Sequence, residues 1–257
     1  MVSPAGSPRT IGLLGGMSAE SSIEYERLIN AEVRRVLGGS HSASLLVRSY
    51  DFGVIEELQS RGAWQEAGVL LAGDARQLQA AGAELIVLCT NTMHRVAPAI
   101  EAAIEVPFLH LADTTAAAVR AAGLRHVGLL GTRFTMEGAF YRDRLADGGV
   151  TTLVPDEPDR SLVHDVIYDE LVQGIVEPTS RARVVAVIER LAARGAEGII
   201  AGCTEIELLV TADDVSLPYF PTTRLHALAA ARWALGEAAG PGPAEEGIMD
   251  VSRTQGG

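Results

Sequence analysis

Eight short apolar runs alternate with longer amphipathic stretches along this chain, and that alternation constrains its fold more than any other feature. The runs are Thr10–Leu14, Ala43–Arg48, Glu84–Cys89, Pro107–Leu111, His126–Leu130, Thr151–Val154, Gly198–Gly202 and Leu217–Phe220. They are rich in Val, Ile and Leu and apolar throughout rather than at every second position. Such runs suit parallel strands buried on both faces. Between them, Ala19–Leu37, Ala63–Ala81, Asp113–Ala122, Asp159–Gln173 and Thr179–Arg194 carry helical periodicity. The expected class is α/β, with mostly parallel sheets flanked by helices.

Two segments recur. IGLLGG at Ile11–Gly16 returns as VGLLGT at Val127–Thr132, and LQAAGAELIVLCT at Leu78–Thr90 returns as LAARGAEGIIAGC at Leu191–Cys203. The pairs keep the same order and nearly equal offsets, which favours an internal duplication. Two pseudo-symmetric domains are therefore expected, residues 10–112 with 221–237 and residues 113–220. The remaining 238–257, with GPGPAEEG and TQGG, reads as a disordered tail. Ligands of open α/β sheets bind beyond the carboxyl ends of the strands, so a small ligand is expected in a cleft between the two domains, held by residues that follow strands.

Composition excludes several functions. A net charge of −12 repels a phosphate backbone, so neither a nucleic acid nor an anionic membrane is an expected partner. No apolar run approaches the length of a membrane span, and the opening residues lack a signal peptide's basic start and apolar core. A cytoplasmic protein is expected, with Cys89 and Cys203 as thiols. All 21 basic residues are arginine. Without lysine the chain can neither anchor pyridoxal phosphate as a Schiff base nor build a Walker phosphate loop.

The chemistry is expected at strand ends. Cys203 stands where GIIAG passes into the helical pattern that starts at Glu205, and a helix N-terminus favours the thiolate, which reads as a lowered thiol pKa. In the other half, ELIVL runs into Cys89-Thr90-Asn91-Thr92-Met93-His94, a polar turn suited to binding an anion. The ungapped repeat puts Thr90, not Cys89, opposite Cys203. Adjacent strand residues face opposite ways, so Cys89 reads as a structural thiol beside the site. Gly12–Ser18 and Gly131-Thr132 are further strand-end turns; the first lacks dinucleotide spacing, and Thr132 suits either an N-cap or a ligand contact. No His, Cys or carboxylate cluster has zinc spacing, so no metal is expected.

GLLGGMS, CTNTMH, PFLHLADTTA, GLLGTRFTM, VIYDEL and GCTEI, in this order, make residues 10–237 resemble the cofactor-independent aspartate/glutamate racemases. The resemblance implies two similar domains, no cofactor, a homodimer, and proton transfer at an amino acid's α-carbon. The family carries one cysteine directly before its Asn-Thr pair and another in its Gly-Cys-Thr motif. Cys203 matches the second position, while Thr90 stands in place of the first. A hydroxyl is too weak an acid to rest as an alkoxide. Cys203 is thus the expected base and Thr90 a weak partner, with the L-enantiomer implied as the better substrate.

Hydrogen bonds to the α-carboxylate must stabilise the carbanionic transition state, and Asn91, Thr92, Thr132 and Thr204 are the expected donors. An acidic side chain needs a cation, for which Arg48 and Arg133 stand near strand ends; Met17 and Ser49 are further candidates for the pocket lining. His94 suits a contact near the site or a helix start, His110 a structural or hinge role, and His164 with Asp165 a solvated helix face. Two other activities stay open from sequence: a single-thiol decarboxylase or cis–trans isomerase of small dicarboxylates, and a non-catalytic amino-acid-binding protein.

Overall fold

The computed structural model describes residues 8–237. The expected tail lies outside them. Two compact units partition the described chain, one formed by residues 8–110 with 226–237 and the other by residues 111–225.

In the first unit the strands are β1 (Ile11–Gly15), β2 (Leu45–Ser49), β3 (Leu85–Leu88) and β4 (Phe108–Leu109). They form one parallel sheet in the order β2-β1-β3-β4. Helices α1 (Ala19–Leu37), α2 (Phe52–Ser60), α3 (Trp64–Ala80) and α4 (Ala97–Glu101) lie between the strands in sequence. The second unit opens with α5 (Leu111–Ala121) and contains β5 (His126–Gly131), α6 (Arg133–Glu137), α7 (Ala139–Asp147), β6 (Thr151–Leu153), α8 (Asp159–Asp165), α9 (Pro178–Ala193), β7 (Ile199–Gly202), α10 (Thr204–Leu209) and β8 (Tyr219–Pro221). Its parallel sheet has the equivalent order, β6-β5-β7-β8. The boundary back to the first unit falls inside α11 (Thr222–Ala234). Each of the eight apolar runs overlaps a strand; β1, β2, β5 and β8 extend one residue beyond the expected run.

Each sheet is covered on both faces, which is why its strands read as unbroken apolar runs. In the first unit Ile11, Leu13, Leu85, Val87 and Cys89 pack with Tyr25, Leu28 and Ile29 of α1 and with alanines of α11. Leu14, Ile86 and Leu88 face the other way, toward Leu71, Ala75 and Leu78 of α3. In the second unit Leu130, Ile199, Ala201 and Cys203 join Val184, Val187 and Leu191 of α9, while Val127, Leu129 and Ile200 join α5 and α7.

The duplication is visible in packing. A Cβ on Gly12 would stand 2.9 Å from Ile86 Cδ1 and 3.2 Å from Leu78 Cβ, and one on Gly128 would stand 2.8 Å from Ile199 Cδ1 and 3.0 Å from Leu191 Cδ1. Both repeats thus spend a glycine on the same purpose: letting the helix that precedes the third strand lie close on the first.

Candidate active site

In each sheet the chain winds one way from its first strand to the second and the other way to the third. The order therefore reverses between β1 and β3, and between β5 and β7, the positions at which open α/β sheets form a ligand crevice beyond the carboxyl ends of their strands. The candidate residues stand at these four ends. Gly16 and Met17 follow β1, Thr90 and Asn91 follow β3, Thr132 follows β5 and Cys203 follows β7.

The ladders give their correspondence. Leu14 pairs with Leu88 in the first sheet, and Leu130 with Ala201 in the second. These are the residues that the sequence repeat aligns, so two positions further on Thr90 corresponds to Cys203. Cys89 sits on the opposite face, fully buried among Leu85, Val87 and Tyr25. Burial, then the Glu26 carboxylate, pushes its thiol far above the ordinary range. It is a core thiol.

Cys203 departs from expectation in its electrostatics. It caps the N-terminus of α10, and its backbone carbonyl accepts from the Ile206 N–H at 3.2 Å. The pKa is nevertheless raised, not lowered. Burial contributes most, followed by the Glu205 carboxylate and the hydrogen bond that Sγ donates to Glu205 Oε2 at 2.8 Å; the backbone amides of Glu205 and Ile206 oppose this without prevailing. A six-residue helix supplies a weak field, whereas desolvation and an adjacent anion act at contact distance. The resting form is a thiol pointed at a carboxylate. Glu205, itself buried, was no part of the sequence expectation; the signal was the acidic residue two places beyond the cysteine, in the first helical turn.

Beside Cys203, the Thr204 hydroxyl lies 2.7 Å from that of Thr223, and both threonines are buried. Gly131 and Gly202 are ladder partners, and a Cβ on Gly202 would stand 2.8 Å from Leu130 O, so the strands that deliver Thr132 and Cys203 approach with no side chain between them. Thr132 is the N-cap of α6 and accepts from Thr135 N at 3.3 Å. That cap uses a lone pair, not the hydroxyl proton. Arg133 is exposed; its backbone N–H donates to His164 Nδ1 at 3.3 Å, and Nη2 lies 3.4 Å from Ser161 Oγ. His164 is thus drawn toward the end of β5 instead of lying on a solvated face. Burial and then Arg133 lower its pKa, and its ring lies tilted at 59° to that of Tyr168, with the centroids 4.8 Å apart.

In the first unit Asn91 and Thr92 are buried at the start of a 3₁₀ turn, Thr92–Val96, and Thr90 is half-buried. His94, in that turn, donates from Nδ1 to the Thr90 carbonyl at 2.7 Å. Its ring stands 4.6 Å from that of His110 and 5.8 Å from that of His226. His226 in turn donates from Nε2 to Leu109 O at 2.9 Å and meets the Tyr25 hydroxyl at 2.8 Å through Nδ1. A buried imidazole cluster therefore braces the Thr90 turn, and His110 belongs to it.

Met17 is buried in the core between β1 and α3. Arg48 and Ser49 lie on β2, where Arg48 Nε bonds Asp74 Oδ2 at 3.0 Å, Nη1 donates to Ser49 O at 2.7 Å, and the guanidinium lies 4.6 Å over the Tyr50 ring. Arg48 is a strut to α3. Among the described residues no group of three or more His, Cys, Asp or Glu is placed to hold a metal ion, and no helix is long and apolar enough to cross a membrane.

Known structures resemble this chain. A Yersinia pestis protein solved as a candidate Asp/Glu racemase is 53% identical, over 88% of this chain and 99% of that one, with a TM-score of 0.84. An aspartate racemase homologue from Pyrococcus horikoshii OT3 is 30% identical over the same shares, 88% and 99%, with a TM-score of 0.77. The aspartate racemase of Picrophilus torridus, at 18% identity over 89% of this chain and 94% of that one, shares the fold with a TM-score of 0.67. The sequence profile of Asp/Glu/hydantoin racemases matches residues 14–230, which takes in all four strand-end turns. The chain belongs to the Asp/Glu/hydantoin racemase family.

Proposed function

We propose that the protein is a cofactor-independent racemase of aspartate or glutamate, in which Cys203 takes the α-proton and Thr90 serves the opposite face of the same carbon. One observation carries the reading: the two ladders make Thr90 and Cys203 equivalent strand-end positions, each at the switch point of its own sheet. Inversion by proton transfer needs two groups on opposite faces of one carbon, and a duplicated scaffold supplies two.

The α-proton beside a carboxylate is very weakly acidic, and the carbanionic transition state needs several kcal/mol of stabilisation by hydrogen bonds to that carboxylate. Asn91, Thr92, Thr132 and Thr204 are the donors in this reading. Arg133, exposed at the end of β5, suits the side-chain carboxylate better than Arg48, whose guanidinium is held by Asp74. The absence of lysine from the sequence agrees with chemistry independent of pyridoxal phosphate. Because a hydroxyl is a poor base, the enantiomer whose α-hydrogen faces Cys203 is consumed faster, and the L-form is assigned to that face. The equilibrium between enantiomers stays near one.

The test is proton NMR in deuterated buffer with L- and D-aspartate and L- and D-glutamate supplied separately. Expected are deuterium at the α-carbon with inversion, faster consumption of the L-form, and loss of exchange in Cys203→Ala. Absence of exchange from all four substrates would overturn the assignment.

A further inference from the structure

A buried thiol beside an anion is a poor resting base, and the geometry around Cys203 shows where its proton can go. We propose that Glu205 is the proton acceptor through which Cys203 works: Sγ surrenders its proton to the carboxylate as it takes the α-proton of the substrate. This rests on the racemase reading and adds a second residue to it. Glu205 acts through sulfur and is a positioning and relay residue.

Three observations carry it. Sγ–H donates to Glu205 Oε2 at 2.8 Å, so the proton path is already a hydrogen bond. Both residues are buried, so the carboxylate, already in contact with the sulfur, is the acceptor at hand when the proton leaves. The third is the repeat: the position in the first unit that corresponds to Glu205 is Thr92, so the carboxylate accompanies the thiol and is missing where the thiol is replaced by Thr90.

The step balances. The Sγ–H bond breaks and its proton goes to Oε2; the Cα–H bond breaks, its proton re-forms Sγ–H, and its electron pair stays on carbon. The carbanion is then protonated on its other face from the Thr90 hydroxyl or a water, which solvent restores, and Glu205 returns its proton to solvent. No separate state with thiolate beside carboxylate is needed, which avoids placing two anions together in a desolvated site. Tyr219 of β8 also feels the charge of the sulfur. Burial first, then Glu207 of α10, then Asp214 raise its phenol, which donates to Val210 O at 2.9 Å and stays protonated throughout.

Two readouts separate this role from a structural one. In Glu205→Gln the anion is gone but the shape is kept, so alkylation of the Cys203 peptide by iodoacetamide, followed by mass spectrometry against pH, shifts its midpoint down by roughly one unit. Exchange of the α-proton, in contrast, falls by about 100-fold or more, because the amide cannot take the proton. Glu205→Asp, which retains a carboxylate, recovers at least tenfold of the exchange. A more reactive thiol with slower exchange is the signature. Exchange that is unchanged or faster in Glu205→Gln would overturn the relay and leave Glu205 as an electrostatic brake. Wild-type protein that exchanges no substrate would overturn the racemase reading itself, and the relay with it.

Discussion

Raising the pH should destabilise this protein steeply from about pH 9, through its two thiols. Cys89 and Cys203 are both buried and both have raised pKa values, by desolvation first and then by Glu26 and Glu205 respectively. In the unfolded chain a thiol loses its proton near pH 8.5, while the native state keeps both. Above that pH the unfolded state binds fewer protons than the native one, so the contribution is fully present below the unfolded pKa and is lost as pH rises. Each retained proton lowers the unfolding free energy by about 1.4 kcal/mol per pH unit. Each unit of the fold carries one such thiol, so a transition confined to one unit slopes by about 1.4 kcal/mol, and a concerted one by about 2.7 kcal/mol, per pH unit. Between about pH 9 and 10.5 a concerted loss reaches about 4 kcal/mol, much of an ordinary domain's stability. The buried Tyr141 phenol, raised mainly by desolvation, steepens the curve further above about pH 10. Urea unfolding followed by circular dichroism at a series of pH values gives the slope, and Cys89→Ala removes one thiol's share. A flat profile across this range, or a slope indifferent to Cys89→Ala, would refute the reasoning.

Two further substitutions probe the site. Gly202→Ala places a methyl 2.8 Å from Leu130 O, a backbone atom that yields only if β5 and β7 separate. A stability loss of about 1–3 kcal/mol is expected in urea titrations, with slower α-proton exchange because Thr132 and Cys203 both move; unchanged values of both would contradict the close approach. Thr90→Cys supplies a second thiol but no carboxylate two residues on, so the ratio of L- to D-consumption measured by polarimetry should narrow by no more than about tenfold. Equal rates for the two enantiomers would show that a bare thiol suffices.

What the sequence revealed, and what it hid, follows from the range of the interactions. Strand positions and the Thr90–Cys203 correspondence were legible because they rest on local apolar runs and on a repeat, and a one-residue slip would have moved Cys89 from core to crevice. The strut from Arg48 to Asp74 was not, because it joins β2 to α3 across a distance in sequence that no local pattern encodes. Nor was the cluster of His94, His110 and His226, drawn from three separate segments and closed by Tyr25. The direction of the Cys203 shift was misjudged for a different reason. The helix N-terminus is written in the sequence, whereas desolvation and the orientation of Glu205 toward sulfur exist only once the chain is packed.

In the reading proposed above, the two halves use equivalent positions for unequal chemistry. On the Thr90 side the backbone is fixed, by the His94 bond to the Thr90 carbonyl, and the residue is only partly buried, so on this reading a water would share the hydroxyl proton. On the Cys203 side the reactive atom is desolvated and its proton is already directed at Glu205. A solvent-assisted donor and a relayed base are complementary: one face can deprotonate well and the other can return a proton from water. Such a division would favour one enantiomer kinetically while leaving the equilibrium untouched. On the same reading the asymmetry would reside in two residues per side, Cys203 with Glu205 against Thr90 with Thr92. Exchanging the first member alone therefore leaves most of the difference in place.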